Sequence, residues 1–276
     1  MTRNLDARPQ APPQSGGDPT SDDLVLQALG LGLRYGSRDA FRGITLGVRR
    51  GRVLALVGPS GCGKTSFLSC LNRMTDLLPR CAIEGQVRLN GQDIHAEGFD
   101  VVGLRRRVGM IFQRPNPFPM SIRRNLEFPL REHGVRDKDT LEGTLEAALS
   151  DVGLWGEVKD RLETSALALS GGQQQRLCLA RALALKPSVL LMDEPCSALD
   201  PLSSGVVEDL IDGLRERYTV VVVTHNLAQA RRLADEVAVF WFQEGCGRVI
   251  EHGPVDQIFG APRSEVTAAY VNGMRG

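Results

Sequence analysis

Eight consecutive residues, Gly58-Pro59-Ser60-Gly61-Cys62-Gly63-Lys64-Thr65, constrain this chain more than any other stretch. They match the pattern G-x-x-x-x-G-K-[ST] at every fixed position. The apolar run Val53-Leu54-Ala55-Leu56-Val57 before them reads as a buried strand, and Ser66 to Leu71 after them reads as the first turns of a helix. A strand, a glycine-rich turn and a helix N-terminus make an anion trap, because backbone N–H groups converge and the helix dipole adds its positive end. Gly61 and Gly63 put no Cβ in the path of an approaching phosphate. In such a loop Lys64 reaches the β- and γ-phosphates and the Thr65 hydroxyl ligates Mg²⁺. A chance glycine-rich turn would not explain the strand before it and the helix after it.

The 276 residues suffice for a substantial core in one large domain or two modest ones. Lysine plus arginine equals aspartate plus glutamate, at 33 each, so charge gives no case for a nucleic-acid partner. Six scattered cysteines without a C-x-x-C pair suit reduced thiols in a cytosolic compartment. No run approaches the roughly 18 to 20 apolar residues that span a bilayer, and the first residues lack the apolar centre of a secretory signal. Membrane work would therefore be that of a peripheral subunit held by a partner.

Residues 1–23, rich in Pro, Gly, Ser and Gln, read as a disordered tail. Leu24 to Leu33 and Ile44 to Val48 read as strands of an antiparallel edge sheet, with Tyr35 in the turn between them. Tyr35 is either an ordinary loop aromatic or a platform for an adenine ring. Gly85 to Gly91 reads as a strand closed by an Asn-Gly turn, and Val108 to Gln113 as another strand. Three prolines between positions 115 and 119 make a stiff connector. From Ser121 the pattern is helical, and the apolar spacing of Leu141, Leu145, Ala148, Leu149 and Val152 marks one helix face. The stretch of about 115–165 thus reads as a helical subdomain inserted into an α/β core.

Ser170-Gly171-Gly172-Gln173 opens a second strong helix, with Ser170 as its N-cap, and offers a second potential anion site. Val189 to Met192 is an apolar strand that delivers Asp193 and Glu194 at its C-terminal end, where ligands of open α/β sheets bind. Strand alternation points the two carboxylates to opposite sides, so that Asp193 can hold the metal that Thr65 touches and Glu194 a water; the alternative is an ordinary solvated strand end. Tyr218 to Thr224 is a buried strand delivering His225, Glu236 to Phe242 is a further strand, and Gly245 to Gly253 suggests a turn and a short return strand. The remainder reads as a terminal helical cap.

In their order along the chain, the phosphate loop, Gln113, Leu169-Ser170-Gly171-Gly172-Gln173, Asp193-Glu194, Ser197-Ala198-Leu199-Asp200 and His225 resemble the ATPase subunits of ABC transporters. Gln113 to Ile122, Gln173 to Cys178 and Glu194 to Pro201 are similar to one branch, the ATP-binding subunits of bacterial phosphate importers. Arg123-Arg124 depart from that branch, which usually carries an aromatic and an acidic residue there. The resemblance implies a P-loop NTPase core with a mixed sheet, an antiparallel β edge subdomain and an inserted α-helical subdomain. It implies ATP and Mg²⁺ as ligands, with Tyr35 on adenine and Gly58, Pro59, Ser60, Gly61, Cys62, Gly63, Lys64, Thr65 and Ser66 around the phosphates. Gln113 would meet the metal or the attacking water, Asp193 would hold Mg²⁺, Glu194 would be the general base, and His225 would contact the γ-phosphate. Ser170, Gly171, Gly172, Gln173 and Asp200 would serve a nucleotide held by a second copy of the chain. The implied partners are that second copy, two transmembrane permeases and, indirectly, a periplasmic or extracellular phosphate-binding protein, with the chain peripheral on the cytoplasmic face of the cell membrane. An importer ATPase for another solute is the alternative. An ABC ATPase of nucleic acid would need basic or coiled-coil insertions that are not visible. A catalytically inert subunit is disfavoured by the presence of Lys64, Glu194 and His225.

Overall fold

A computed structural model describes residues 23–215 and 217–273. Apart from Asp23, the N-terminal tail lies outside the described residues. The strands are β1 (Leu24–Tyr35), β2 (Arg38–Arg49), β3 (Val53–Val57), β4 (Cys81–Leu89), β5 (Gln92–Asp93), β6 (Val108–Ile111), β7 (Val189–Asp193), β8 (Thr219–Val223), β9 (Glu236–Gln243) and β10 (Cys246–Pro254). The helices are α1 (Lys64–Cys70), α2 (Val101–Arg107), α3 (Ile122–Glu132), α4 (Lys138–Asp151), α5 (Trp155–Val158), α6 (Gly171–Ala184), α7 (Pro201–Leu214), α8 (Leu227–Leu233), α9 (Val255–Gly260) and α10 (Glu265–Val271).

The described strands form a ten-stranded sheet in the order β5-β4-β1-β2-β10-β9-β3-β8-β7-β6. β1, β2, β4 and β5 pair antiparallel, as expected for an edge sheet, and β10 joins them to the rest. β9, β3, β8, β7 and β6 run parallel, so their C-terminal ends share one edge. The core strands read as unbroken apolar runs because both faces are covered. Along β3, Val53, Ala55 and Val57 enter one apolar cluster, while Leu54 and Leu56 enter the other. β7 and β8 alternate the same way: Leu190, Met192, Val220 and Val222 lie on the first side, Val189, Leu191, Val221 and Val223 on the second.

The second cluster anchors α1. Phe67 packs edge-on between Phe41 and Phe240, at 5.8 and 5.5 Å between ring centres. Burying one such side chain is worth roughly 1.5–3 kcal/mol, which ties the helix after the loop to β2 and β9. On the first side α4 and α3 pack against α6. The buried Asn125 of α3 accepts from Phe118 N–H (2.8 Å) and donates to the carbonyls of Phe118 and Ser121, so the proline-rich connector is tied down. Arg181 of α6 lies over the Phe118 ring at 4.1 Å and donates to the Asn116 carbonyl.

Three sequence expectations change. Tyr35 is the last residue of β1, paired with Arg38 and Cys81, because β1 and β2 continue to a turn at Gly36, whose φ is +58°. β6 ends at Ile111, so Gln113 lies beyond its strand. α2 had no counterpart in the pattern: it is seven residues long, contains Gly103 and buries only Leu104, but Asp100 caps it by accepting from Gly103 N–H. The Asn90-Gly91 turn after β4 has positive φ at both residues, as the dipeptide requires.

Candidate active site

The site is built at the shared edge where the parallel strands end. β3 delivers the glycine-rich loop. Gly58 has φ +140°, and a Cβ there would stand 2.1 Å from the Phe240 carbonyl oxygen. Gly63 has φ +92°, and its Cβ would lie 2.9 Å from the Ala40 oxygen. Gly61 has φ +82° and open space around it. Room for an incoming phosphate thus describes Gly61, whereas Gly58 and Gly63 are demanded by neighbouring backbone. The Lys64 ammonium folds back and donates to the carbonyls of Gly58 (2.7 Å) and Pro59 (2.8 Å). Carbonyls are weak partners for a buried ammonium beside anionic phosphate, so this arrangement leaves Lys64 ready to change partners.

The loop forms one wall of a cleft of about 950 Å³. Tyr35, Lys64, Thr65, Ser66, Gln113, Glu194 and His225 all line it, together with Gly58, Pro59, Ser60, Gly61 and Gly63. Cys62 does not. Its side chain is buried, its thiol donates to the Pro59 carbonyl at 2.9 Å, and burial pushes the thiol pKa up. Only its backbone is left to serve a ligand. The Tyr35 hydroxyl donates to Ser66 Oγ at 3.3 Å, which fixes the ring beside the start of α1.

Asp193 and Glu194 part company at the end of β7. Asp193 Oδ1 accepts from the Thr65 hydroxyl at 2.9 Å. Burial raises the Asp193 pKa; the Thr65 hydrogen bond opposes this, adjacent Glu194 adds to it and Lys64 pulls it down. A buried carboxylate beside a hydroxyl is an all-oxygen donor pair of the kind that suits Mg²⁺. Glu194 has left the strand and takes a left-handed conformation, φ +44°, while its N–H donates to the Val223 carbonyl at 2.9 Å. Strand alternation therefore does not govern it: the backbone turn, a strained one for a non-glycine residue, brings its carboxylate to the cleft. Glu194 Oε2 accepts from Gln113 Nε2 and stands beside His225 Nδ1, both at 3.1 Å.

Ser170, Gly171, Gly172, Gln173 and Asp200 are not brought to this cleft. They gather with one another instead. Ser170 and Gln173 form a reciprocal capping box at the start of α6. Asp200 caps α7 by accepting from the N–H groups of Leu202 and Ser203. The two helix starts touch, since a Cβ on Gly172 would lie 2.6 Å from Ser203 Oγ. Gln173 Nε2 also donates to Glu157 at 2.7 Å, and Arg176 pairs with the same carboxylate at 2.8 Å.

Four contributors escaped sequence reading. Arg38 and Asp39 line the cleft beside Tyr35, and Tyr270 closes it from the C-terminal helix. Gln175, almost fully buried, donates to the carbonyls of Phe112 (3.3 Å) and Pro195 (3.0 Å) and so holds the Gln113 segment beside Glu194. Gln175 stood inside a recognised motif, and its place at the third of three glutamines, on the buried side of α6, was a usable signal. Nothing local marked Tyr270. Arg123, the departure noted above, bonds Glu142, Glu163 (2.6 Å) and Glu127 (3.5 Å), so α3 is tied to α4 within the chain.

The family model described as ABC transporter matches residues 41–197. The phosphate import ATP-binding protein PstB 1 of Nitrosococcus oceani is 59% identical over 252 residues, covering 91% of each chain. Phosphate import ATP-binding proteins PstB of Bacteroides fragilis and Idiomarina loihiensis are 49% and 47% identical; these matches cover 92% and 93% of this chain, and 98% and 93% of theirs. Among solved structures, cbiO1 from Clostridium perfringens, part of the ABC transporter complex cbiONQ, aligns with a TM-score of 0.74 at 25% identity over 87% of this chain and 92% of that one. The ten-stranded sheet, the loop at its edge and these relatives agree: this chain belongs to the ABC transporter family of ATPases.

Proposed function

We propose that this chain is the ATP-hydrolysing subunit of a phosphate importer, working as a homodimer beneath two permease subunits on the cytoplasmic face of the cell membrane. A phosphate-binding protein outside the membrane would supply the solute indirectly. The 59% identity to a phosphate import ATP-binding protein supports the choice of solute. Among the described residues no helix is long and apolar enough to cross a membrane, so in this reading the permeases supply the crossing. Helices α3 to α5 and the proline-rich connector form the inserted module that relays changes at Gln113 to them.

The observation that carries hydrolysis is the Glu194 carboxylate, held by Gln113 and His225 at the rim of the cleft that also contains Lys64 and Thr65. Adenine stacks on Tyr35, and the loop N–H groups wrap the phosphates. Lys64 exchanges the Gly58 and Pro59 carbonyls for the β- and γ-phosphate oxygens. Thr65 and Asp193 would hold Mg²⁺, which would supply neutralising charge to those phosphates. Glu194 takes a proton from the water that attacks the γ-phosphorus, the bond to the β,γ-bridging oxygen breaks, and ADP leaves. His225 and Gln113 orient Glu194 and the γ-phosphate. Ser170 to Gln173 and Asp200, clustered away from this cleft, complete the site of the second copy, so nucleotide binding drives closure and hydrolysis releases it.

The test is uptake of radiolabelled phosphate by cells lacking their own importer ATPase but retaining its permeases. This chain should restore uptake and Glu194→Gln should not. A chain that hydrolyses ATP while restoring only another solute's uptake would refute the phosphate assignment.

A further inference from the structure

The first loop residue, Gly58, is gripped from both sides. Its carbonyl accepts from Lys64 Nζ at 2.7 Å. Its N–H donates to the hydroxyl oxygen of Tyr270, 212 positions away in α10, at 3.1 Å. No side chain can replace this glycine, because Phe240 O occupies the place of a Cβ. The N–H belongs to the Val57–Gly58 peptide and the carbonyl to the Gly58–Pro59 peptide, so Tyr270 and Lys64 grip the two peptide groups that meet at the Gly58 Cα.

Tyr270 is itself held firmly. Its ring packs edge-on against Trp241 of β9, 5.7 Å between centres. Burial raises the pKa of its hydroxyl, so it stays a neutral phenol. The helix that carries it is fixed by Glu251 of β10, whose carboxylate accepts from the N–H groups of Arg263 (2.8 Å) and Ser264 (3.0 Å) and from Gln257 Nε2 (2.6 Å). Glu251 is nine-tenths buried.

We infer that Tyr270 is a positioning residue for nucleotide binding: from the C-terminal helix it holds the Val57–Gly58 peptide, the first of the loop, in the conformation from which the following loop N–H groups receive ATP. This rests on the reading that the loop binds ATP, and adds that the affinity of the site depends on a segment outside residues 41–197, the part matched by the family model. A loop N–H that does not face the ligand is best satisfied by protein, since a free N–H lets the peptide rotate and spreads the loop over more conformations.

Tyr270→Phe keeps the ring against Trp241 and deletes only the hydroxyl. Full-length protein titrated with a fluorescent ATP analogue should bind roughly three- to tenfold more weakly, the range for losing one hydrogen bond, and KM for ATP should rise alike while kcat stays within about twofold. Glu251→Gln should shift KM in the same direction through the helix. Unchanged affinity in Tyr270→Phe, or an affinity loss matched by an equal fall in kcat, overturns the inference. Failure of the unsubstituted protein to bind MgATP removes the underlying reading and the inference together, and that result is seen before any substitution is made.

Discussion

Thr65 Oγ1 donates to Asp193 Oδ1 at 2.9 Å, joining the first turn of α1 to the C-terminal end of β7 across 128 positions of sequence. β3 and β7 are not neighbours in the sheet, since β8 lies between them. The bond therefore ties α1, which Phe67 and its aromatic neighbours hold against β2 and β9, to the far side of β8 as well.

Asp193 is a carboxylate whose ionisation the fold resists. Its pKa is raised, so the folded state holds its proton to higher pH than the unfolded chain does. The resulting penalty is absent below the unfolded value of 3.8, grows as pH rises towards the folded value, and stays constant above it. Asp193→Asn, which keeps an oxygen for Thr65, should raise the thermal midpoint at neutral pH and leave it unchanged near pH 3, while abolishing magnesium-dependent hydrolysis. Calorimetry at both pH values checks this; equal midpoints at neutral pH would count against a buried, penalised carboxylate.

Lys64→Ala should weaken ATP binding roughly 10- to 100-fold, the range for a charge-assisted hydrogen bond. A fluorescent-nucleotide titration reads it directly. Binding that survived the substitution would leave the loop assignment without its cation.

Glu194→Gln should retain nucleotide but turn over about 10²- to 10⁴-fold more slowly, the usual contribution of a general base. Glutamine also still accepts from Gln113, so the geometry persists. Sedimentation with MgATP should then show a trapped dimer; a wild-type steady-state rate would remove Glu194 from the base role.

Tyr35→Ala should cost roughly 1–3 kcal/mol of nucleotide affinity, the usual worth of a base stacked on an aromatic ring, whereas Tyr35→Phe should stay within about twofold. Competition titrations with ATP decide it. An alanine variant of full affinity would return Tyr35 to the role of an aromatic at the end of β1 bonded to Ser66.

The glycines of the loop should separate by mechanism. Gly61→Ala meets no atom and should lose about 1–2 kcal/mol of stability from its left-handed backbone alone. Gly58→Ala drives a methyl into the Phe240 carbonyl and should cost well over about 3 kcal/mol, enough to impair folding. Urea melts of the two variants give the comparison, and similar losses would contradict the close approach at Gly58.

What the sequence determined by itself was local. The G-x-x-x-x-G-K-[ST] spacing, the apolar runs at 53–57, 189–192 and 218–224, and the cap at Ser170 each depend on residues a few positions apart, and each appears in the fold as a loop, a strand or a helix start. Only the tertiary structure decided how these pieces meet. It turned Glu194 out of its strand to face Gln113 and His225, buried the Cys62 thiol away from the cleft, and used Gln175 to hold two strand ends together. It also brought Tyr270 back to Gly58. Contacts between residues 20 to 212 positions apart leave no periodicity to read, because they are set by sheet order and by packing of both faces, and those emerge only when the whole chain has folded.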